Sequence, residues 1–308
     1  MLGGSVKILN NFYQELWQQY TDITPQALAI QHLFENEGEA LVNDHVAFRT
    51  FAHSNISIDH LETQILALGY KYLDSYHFKN KKLDARCYVH TDSPTKIFIS
   101  ELLWLSLSEL AQRIIAPVIQ QINLQPAARL NAGRVWDIPT YEDYLTLLDE
   151  SEYAAWLLVW GLRANHFTVY VNHLKKYSKL SQVVELLQRH GYALNSAGGV
   201  IKGTKEDLLI QASTMADSIA VSFPDAGEQQ ITSCYYEFAQ RFEKIDGSLY
   251  QGFVASSADK NLIIGQQKRY KFCAIFVIFT ICNISYIACL YVDNIKARCC
   301  SYPYVTIA

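Results

Sequence analysis

The sequence predicts an α+β fold in which two copies of one strand-helix-strand-strand-strand unit form a curled mixed sheet around a shared pocket. The first observation is a pair of similar runs, 44–51 and 165–172, each of which carries a histidine in its second position ahead of sheet-like alternation. The second is that the same order of elements follows each run. Paired sheets enclose a pocket that neither copy encloses alone. The predicted modules span about 41–105 and 164–245, with a helical insert at about 106–163 between them.

The first copy is the more regular of the two in sequence. An amphipathic helix is predicted at about 57–68, and Gly69 follows it in the place where a glycine commonly ends a helix. Three strand-like segments come next, at 70–78, 83–89 and 96–102, and polar turns separate them.

The second copy repeats this order after its own histidine strand. A helix is predicted at 180–189 and is closed by Gly191. Strands are then predicted near Tyr192, at 217–223 and at 233–241, and the last of them is strongly aromatic with one acid in its middle.

The insert between the copies reads as helical. One helix is predicted at 108–122, broken or kinked at Pro117. A longer helix is predicted at 141–160, with Thr140 as its N-cap and Asp143 completing a capping box.

Composition restricts the classes of function. The chain has 308 residues, half of them hydrophobic, and residues 1–260 are predicted to form a single domain. The formal charge of −4 shows no basic excess, which argues against a nucleic-acid partner. The first 19 residues have periodic apolar positions and no cationic start followed by an apolar block, so they predict a first helix and not a signal peptide. With only Cys87 and Cys234 in the first 260 residues, a reduced, cytoplasmic location is expected.

The remainder of the chain, 261–308, differs abruptly in composition. It holds five of the seven cysteines and an uncharged apolar stretch, 272–292, about as long as the roughly 20 residues of a membrane-spanning helix. Three interpretations are open: a tail foreign to the fold, packed apolar structure, or a membrane anchor.

Candidate metal ligands lie on three of the predicted strands. Because side chains alternate along a strand, His45 shares one face of its strand with Arg49. The other two candidates, His166 and Glu237, lie on two strands of the second copy. Two imidazoles and one carboxylate carried on sheet suit a divalent iron centre with positions left free for chemistry. A lone strand histidine is more often a core residue, and a lone buried glutamate is more often salt-bridged, here to Arg241 or Arg49. Repetition of the histidine in both copies favours the metal site.

Four segments carry a family resemblance: DHVAFRTF, NHFTVYVNHL, YYEFAQRF and GFVASSADK. They resemble the iron-dependent 2-oxoadipate dioxygenase/decarboxylase family, also called 2-hydroxyglutarate synthase, over about residues 10–260. The doubled unit is similar to the vicinal oxygen chelate fold. The tail after Asn261 has no recognised counterpart in that family.

The resemblance implies a ligand set and a substrate site. It implies that His45, His166 and Glu237 hold Fe(2+), and that both histidines also border the substrate. It further implies that Arg49 is a catalytic residue that contacts the substrate and that Val254 lies beside it. The implied partners are a small 2-oxo dicarboxylic acid and dioxygen, with no nucleic acid, and with no membrane unless 272–292 is an anchor.

The resemblance also implies a reaction: oxidative decarboxylation and hydroxylation of 2-oxoadipate to 2-hydroxyglutarate, a step of lysine breakdown. Glu101 is expected to hold in the first copy the place that Glu237 holds in the second, so it is a candidate fourth ligand. With Glu101 bound, the site would suit a glyoxalase-like lyase or isomerase. The residue pattern is also compatible with a metal hydrolase that uses an activated water, and with a ligand-binding module that holds no metal.

Overall fold

The chain divides into two units, Met1–Gly265 and Gln266–Ala308. Their structure comes from a computed structural model, which describes the residues 2–124, 128–254, 279–281 and 284–286. In the second unit the described backbone is an antiparallel pair of short strands, Phe279–Ile281 and Ile284–Tyr286.

Helices and strands alternate along the first unit in two similar groups. Its helices are α1 Leu2–Thr21, α2 Pro25–Asn36, α3 Ile58–Ala67, α4 Glu109–Asn123, α5 Tyr141–Glu150, α6 Glu152–Trp160 and α7 Leu180–Arg189. Its strands are β1 Asn43–Phe51, β2 Lys71–Phe78, β3 Leu83–His90, β4 Ser93–Leu102, β5 Ala164–Tyr170, β6 Lys202–Thr204, β7 Leu209–Ser213, β8 Ser218–Phe223, β9 Gly227–Thr232 and β10 Tyr235–Arg241.

A mixed sheet with the strand order β2-β3-β4-β1-β5-β10-β7-β6 unites the two groups. At its centre β1 and β5 run antiparallel, and each is flanked by a parallel strand, β4 or β10. Val46 lies opposite Phe167, and the pairs on either side are His45 with Thr168 and Ala47 with His166. This register relates the groups by a pseudo-two-fold axis that exchanges His45 and His166. The predicted doubling of one unit is therefore confirmed.

The first copy matches its prediction closely. Ser57 caps α3 by accepting from the backbone N–H of His60, and Gly69 follows the helix with a φ of 94°. Strands β2, β3 and β4 fall where the alternating segments were expected.

In the second copy, the structure differs from the prediction for two strands. Tyr192 lies in irregular backbone after α7, and the sheet strands that follow are β6 and β7. The predicted strand at 217–223 exists as β8, but it pairs only with β9, apart from the main sheet. Alternation predicts that a segment is extended and does not specify its partner, and the short turn ending at Gly227 makes β9 the nearest one.

The helices of the insert differ from their prediction at two places. Helix α4 runs through Pro117 as one element. The stretch 141–160 is two helices, because Ser151 is extended (φ −147°) and its hydroxyl accepts from the N–H of Ala154 to begin α6. Serine favours such caps over helix interiors because its side chain competes for backbone groups. The Thr140 cap is confirmed by its bond from the N–H of Asp143.

An aromatic core covers the helical face of the sheet. Trp17 and Tyr20 of α1 pack on Phe167, and Phe34 of α2 packs on Phe238. Tyr20, Phe34, Phe167 and Phe238 are fully buried, and burial of a large apolar side chain contributes about 1.5–3 kcal/mol. Burial of this face leaves the alternate side chains of β1, β5 and β10 directed to the opposite face, where the polar residues lie.

The predictions for 261–308 fall largely outside the described residues. Of the apolar stretch 272–292, the structure describes the backbone of the two short strands alone. Among the helices of the described part of the chain, none is both long enough and apolar enough to cross a membrane.

Candidate metal centre

Three strands bring His45, His166 and Glu237 together on the polar face of the sheet. One ligand atom from each lies within 4.8 Å of the others. The Nε2 atoms of the two rings are 3.4 Å apart, and His45 Nε2 is 3.4 Å from Glu237 Oε1. Such spacing approaches that of neighbouring ligands around one ion, whose bonds are about 2.0–2.2 Å long. The donor set therefore fits a divalent metal.

Both imidazoles are held in the neutral form that metals bind. Burial is the main cause that lowers the pKa of His45, and the nearby Asp44 carboxylate opposes it. The pKa of His166 falls well below its usual value because of burial, and the positive charge of Arg49, and of His45 when that ring is protonated, lowers it further. A neutral ring keeps a lone pair on the nitrogen that lacks a proton.

The carboxylate of Glu237 is held by neutral donors. Gln211 Nε2 donates to Oε1 over 2.6 Å, and Thr168 Oγ1 donates to the same atom over 3.1 Å. Burial raises the pKa of Glu237 to about 7, although these two hydrogen bonds lower it. The arginines considered as its salt-bridge partners are engaged elsewhere, Arg241 with Asp44 and Arg49 with Glu152.

The residue before each histidine orients its ring. His45 Nδ1 lies 2.8 Å from Asp44 Oδ1, and His166 Nδ1 lies 3.1 Å from Asn165 Oδ1. An oxygen acceptor at Nδ1 leaves Nε2 without a proton and able to bind a metal, which is how proteins commonly prepare histidine ligands. The ring of His166 also stacks on Tyr235, with 4.7 Å between centroids.

Arg49 lies in the same cavity and is 3% exposed. Its guanidinium lies over the rings of Tyr153 and Trp156, and its Nη1 donates to Glu152 over 3.1 Å. Its buried Nε has no hydrogen-bond partner among the described residues. A buried donor without a partner costs roughly 1–3 kcal/mol, and an anionic ligand in the cavity would supply the acceptor.

The cavity has a volume of about 60 Å³, several times the roughly 10–15 Å³ that one water needs on the same measure. Val254 lines it, as expected, together with Phe253, whose ring meets that of His45 edge-on at 4.7 Å. Phe98 packs on Phe253 at 4.8 Å. The walls are thus largely apolar, and the charged groups among them are the Glu237 carboxylate and the Arg49 guanidinium.

Glu101 lies outside this site, so its expected equivalence with Glu237 is wrong. On β4 it pairs with Thr50, whereas Phe98 pairs with Ala47 in the way that Glu237 pairs with Thr168. Its carboxylate accepts from the N–H of Ile58 at the start of α3. An offset of three residues reverses the face of a strand, so Glu101 faces the helix.

Several site residues were missed in the sequence. Asp44 and Asn165 had a signal, because each directly precedes a repeated histidine. Gln211 and Phe253 had none of their own, since an amide in a short strand and an aromatic in a loop are common everywhere.

Comparison with known structures first defines the class of protein. A chain from Ralstonia eutropha JMP134, assigned provisionally to the glyoxalase superfamily, has the same fold: TM-score 0.64 at 20% identity, over 77% of this chain and 83% of that one. The fold and the three-residue site together define an α+β protein whose mixed sheet carries a candidate metal centre.

Closer relatives define the family. The family model for 2-oxoadipate dioxygenase/decarboxylase matches residues 6–135 and 128–270. The chloroplastic 2-oxoadipate dioxygenase/decarboxylase of Arabidopsis thaliana is 32% identical over 84% of this chain and 79% of its own. The chloroplastic/amyloplastic protein of that name from Oryza sativa subsp. japonica is 34% identical over 72% of this chain and 66% of its own. The chain belongs to the 2-oxoadipate dioxygenase/decarboxylase family.

Two crystal structures resemble it over most of their length. Hydroxyglutarate synthase from Oryza sativa, in complex with 2-oxoadipate, has a TM-score of 0.76 at 29% identity over 84% of this chain and 92% of that one. A chain from Shewanella frigidimarina NCIMB 400, described as a candidate hydrolase, has a TM-score of 0.74 at 41% identity over 80% and 97%.

Proposed function

We propose that the chain is an iron(II)-dependent dioxygenase that decarboxylates 2-oxoadipate and hydroxylates the shortened acid to 2-hydroxyglutarate. One 2-oxoadipate and one dioxygen give one 2-hydroxyglutarate and one carbon dioxide, so no further reductant is required. The observation that carries the proposal is the convergence of His45, His166 and Glu237 at a cavity that also contains Arg49.

The three ligand candidates have the composition that suits non-haem iron(II). When bound, the metal supplies open positions for chelation of a 2-oxo acid and for activation of dioxygen. His45 and His166 contribute neutral nitrogens, and Glu237 contributes the one negative charge. Gln211 and Thr168 hold that carboxylate by its Oε1, so its direction is set before a ligand arrives.

Arg49 is suited to bind a substrate carboxylate. Its charge is permanent, and its planar fork can bind both oxygens of a carboxylate at once. The rings of Tyr153 and Trp156 restrict the guanidinium, and its unpaired Nε is available to a ligand. Because the cavity walls are apolar, this ion pair would form with little screening by water.

Val254 and Phe253 close the cavity on the side of His45. Exclusion of water there would protect the reacting acid during turnover. Lysine breakdown as the wider reaction sequence, and a cytoplasmic location, remain predictions from the sequence.

The rival chemistries differ in what they need. A glyoxalase-like lyase or isomerase was expected to use Glu101 as a ligand, and Glu101 instead binds the N–H of Ile58. A hydrolase would work with zinc and without oxygen, and a binding module would work without metal.

Oxygen consumption tests the proposal directly. Metal-free protein is supplied with iron(II) and 2-oxoadipate, and dioxygen uptake, carbon dioxide and 2-hydroxyglutarate are measured together. We expect them in a ratio of one to one to one, with no product under nitrogen or with zinc in place of iron. The matched control is His45→Ala prepared in the same way. A folded, iron-loaded protein that consumes no oxygen would refute the dioxygenase, and turnover with zinc under nitrogen would favour the hydrolase.

A further inference from the structure

Arg241 ends β10, four residues after the candidate ligand Glu237. Its side chain is fully buried, and it binds the Asp44 carboxylate at both oxygens, through Nε at 2.6 Å and Nη2 at 2.8 Å. A two-point pair of this kind fixes the plane of the carboxylate as well as its position.

The fixed carboxylate in turn selects the form of His45. Asp44 Oδ1 lies 2.8 Å from His45 Nδ1. An ionised carboxylate only accepts hydrogen bonds, so Nδ1 carries the ring proton and Nε2 keeps the lone pair. Nε2 is the atom that lies 3.4 Å from both His166 Nε2 and Glu237 Oε1.

The remaining nitrogen of Arg241, Nη1, binds a different segment of the chain. Nη1 donates to the carbonyls of Tyr250 at 3.1 Å and Gly252 at 2.8 Å. These carbonyls belong to residues 250–254, which we name the roof segment because Phe253 and Val254 line the cavity from it. The roof is also tied to β2, since the N–H of Phe253 donates to the Tyr76 hydroxyl over 3.0 Å.

We propose that Arg241 is a positioning residue that orients the His45 imidazole through Asp44 and, with the same guanidinium, holds the roof segment over the cavity. The inference rests on the metal site proposed above. It makes metal affinity and closure of the cavity depend on one side chain that contacts neither metal nor substrate.

The second histidine provides an internal contrast. His166 is oriented by the neutral amide of Asn165, at 3.1 Å. The register of the sheet places Leu102 in module one where Arg241 stands in module two, so no guanidinium occupies the equivalent place. Among the residues that the structure describes, the link between ligand and roof is therefore found on the His45 side.

A double-mutant cycle on metal binding tests the path through Asp44. Metal-free wild-type protein, Asp44→Asn, Arg241→Lys and the double variant are titrated with Co2+, and affinity is followed by visible absorption and calorimetry. We expect each single variant to bind about 10–100-fold more weakly, the usual effect of disturbing a histidine ligand's partner. The Co2+ affinity of the double variant should be no lower than that of whichever single variant binds Co2+ less tightly, because both changes interrupt one path.

Amide exchange tests the roof. Arg241→Lys keeps the charge and loses the fork, so the Phe253 amide should exchange faster than in the wild type. Tyr76→Phe should also speed exchange at Phe253 while leaving Co2+ affinity unchanged. Arg163→Lys is the matched control, because that partly buried guanidinium binds the Trp160 carbonyl away from the site; it should alter neither measurement.

The outcomes separate this inference from the proposed function. Additive losses in the cycle, or wild-type Co2+ affinity in Asp44→Asn, would overturn the inference while the metal site stands. If Arg241→Lys does not fold, Asp44→Asn and Tyr76→Phe decide the question by the same expected results. Failure of wild-type protein to bind Co2+ would refute the metal site itself, and the inference with it.

Discussion

The two modules share a pattern of strands and differ in the side chains at equivalent positions of those strands. In both, a central strand bears a histidine at the same place, His45 in one and His166 in the other. On the parallel neighbour, module one has Phe98 where module two has Glu237. One module therefore supplies an apolar wall and the other an acid, although the backbone beneath them is alike.

The same comparison applies to the side of the cavity that Arg49 lines. The pseudo-two-fold axis places Tyr170 in module two where Arg49 stands in module one. The cavity lining therefore carries one guanidinium, from module one, and one carboxylate, from module two. Doubling of a unit produces paired positions, and an asymmetric ligand set arises only when the paired residues diverge.

Removal of either histidine should have the largest effect. His45→Ala and His166→Ala should each weaken binding of iron(II) by more than about 100-fold and abolish turnover, because loss of a ligand exceeds the usual effect of losing its partner. Calorimetric titration of metal-free protein measures this. His32→Ala, on the exposed surface of α2, is the control. If only one histidine matters, the modules do not share the metal.

Arg49→Lys should have the next largest effect. The lysine keeps the charge but loses the fork, and charge-assisted bonds of this kind are worth about 1.5–3 kcal/mol. We therefore expect kcat/KM for 2-oxoadipate to fall on the order of 10- to 100-fold, with a small change in melting temperature. Arg86→Lys, which alters an arginine paired with Asp59 and Glu62 outside the cavity, is the control. Near-normal turnover would remove Arg49 from the substrate site.

Metal affinity should depend on pH through Glu237. Its pKa of about 7 in the metal-free protein means that a bound proton must leave below that pH. Affinity should therefore fall about tenfold per pH unit below 7 and level off above it. Thr168→Val removes a hydrogen bond that lowers this pKa, so the pH below which metal affinity falls should be higher in the variant. If that pH is the same in the variant as in the wild type, another group controls the pH dependence.

Glu101→Gln should have the smallest effect on the site. Because its carboxylate binds the N–H of Ile58, we expect a loss of about 1 kcal/mol in the free energy of unfolding. Metal affinity should match that of the wild type, in contrast to Glu237→Gln. A lower metal affinity in Glu101→Gln would contradict the assignment of Phe98 as the counterpart of Glu237.

Local patterns accounted for much of the fold. The cap at Ser57, the helix stop at Gly69 and the alternation around His45 depend on residues within a few positions of one another. Their outcomes could be predicted because short-range sterics and hydrogen bonds decide them. The break at Ser151 shows the limit, since a serine is tolerated within a helix and also begins one.

The family and the three candidate ligands were also accessible from the chain. Repetition of the histidine strand, and the acid within the aromatic strand of Glu237, singled out three residues that the structure brings within reach of one ion. Glu101 was misplaced because its equivalence was judged by strand order. Register, which is set by pairing with β1, decides the face.

The sequence by itself determined which residues share a face and which segments repeat, because a two-residue period and local capping act within one element. Only the tertiary structure decided that β8 leaves the sheet, that Gln211 meets Glu237, and that Arg241 reaches both Asp44 and the roof segment. The contact of Gln211 with Glu237 joins residues 26 positions apart, and that of Arg241 with Asp44 joins residues 197 positions apart. Their geometry depends on how separate elements pack, and no local preference contains that information.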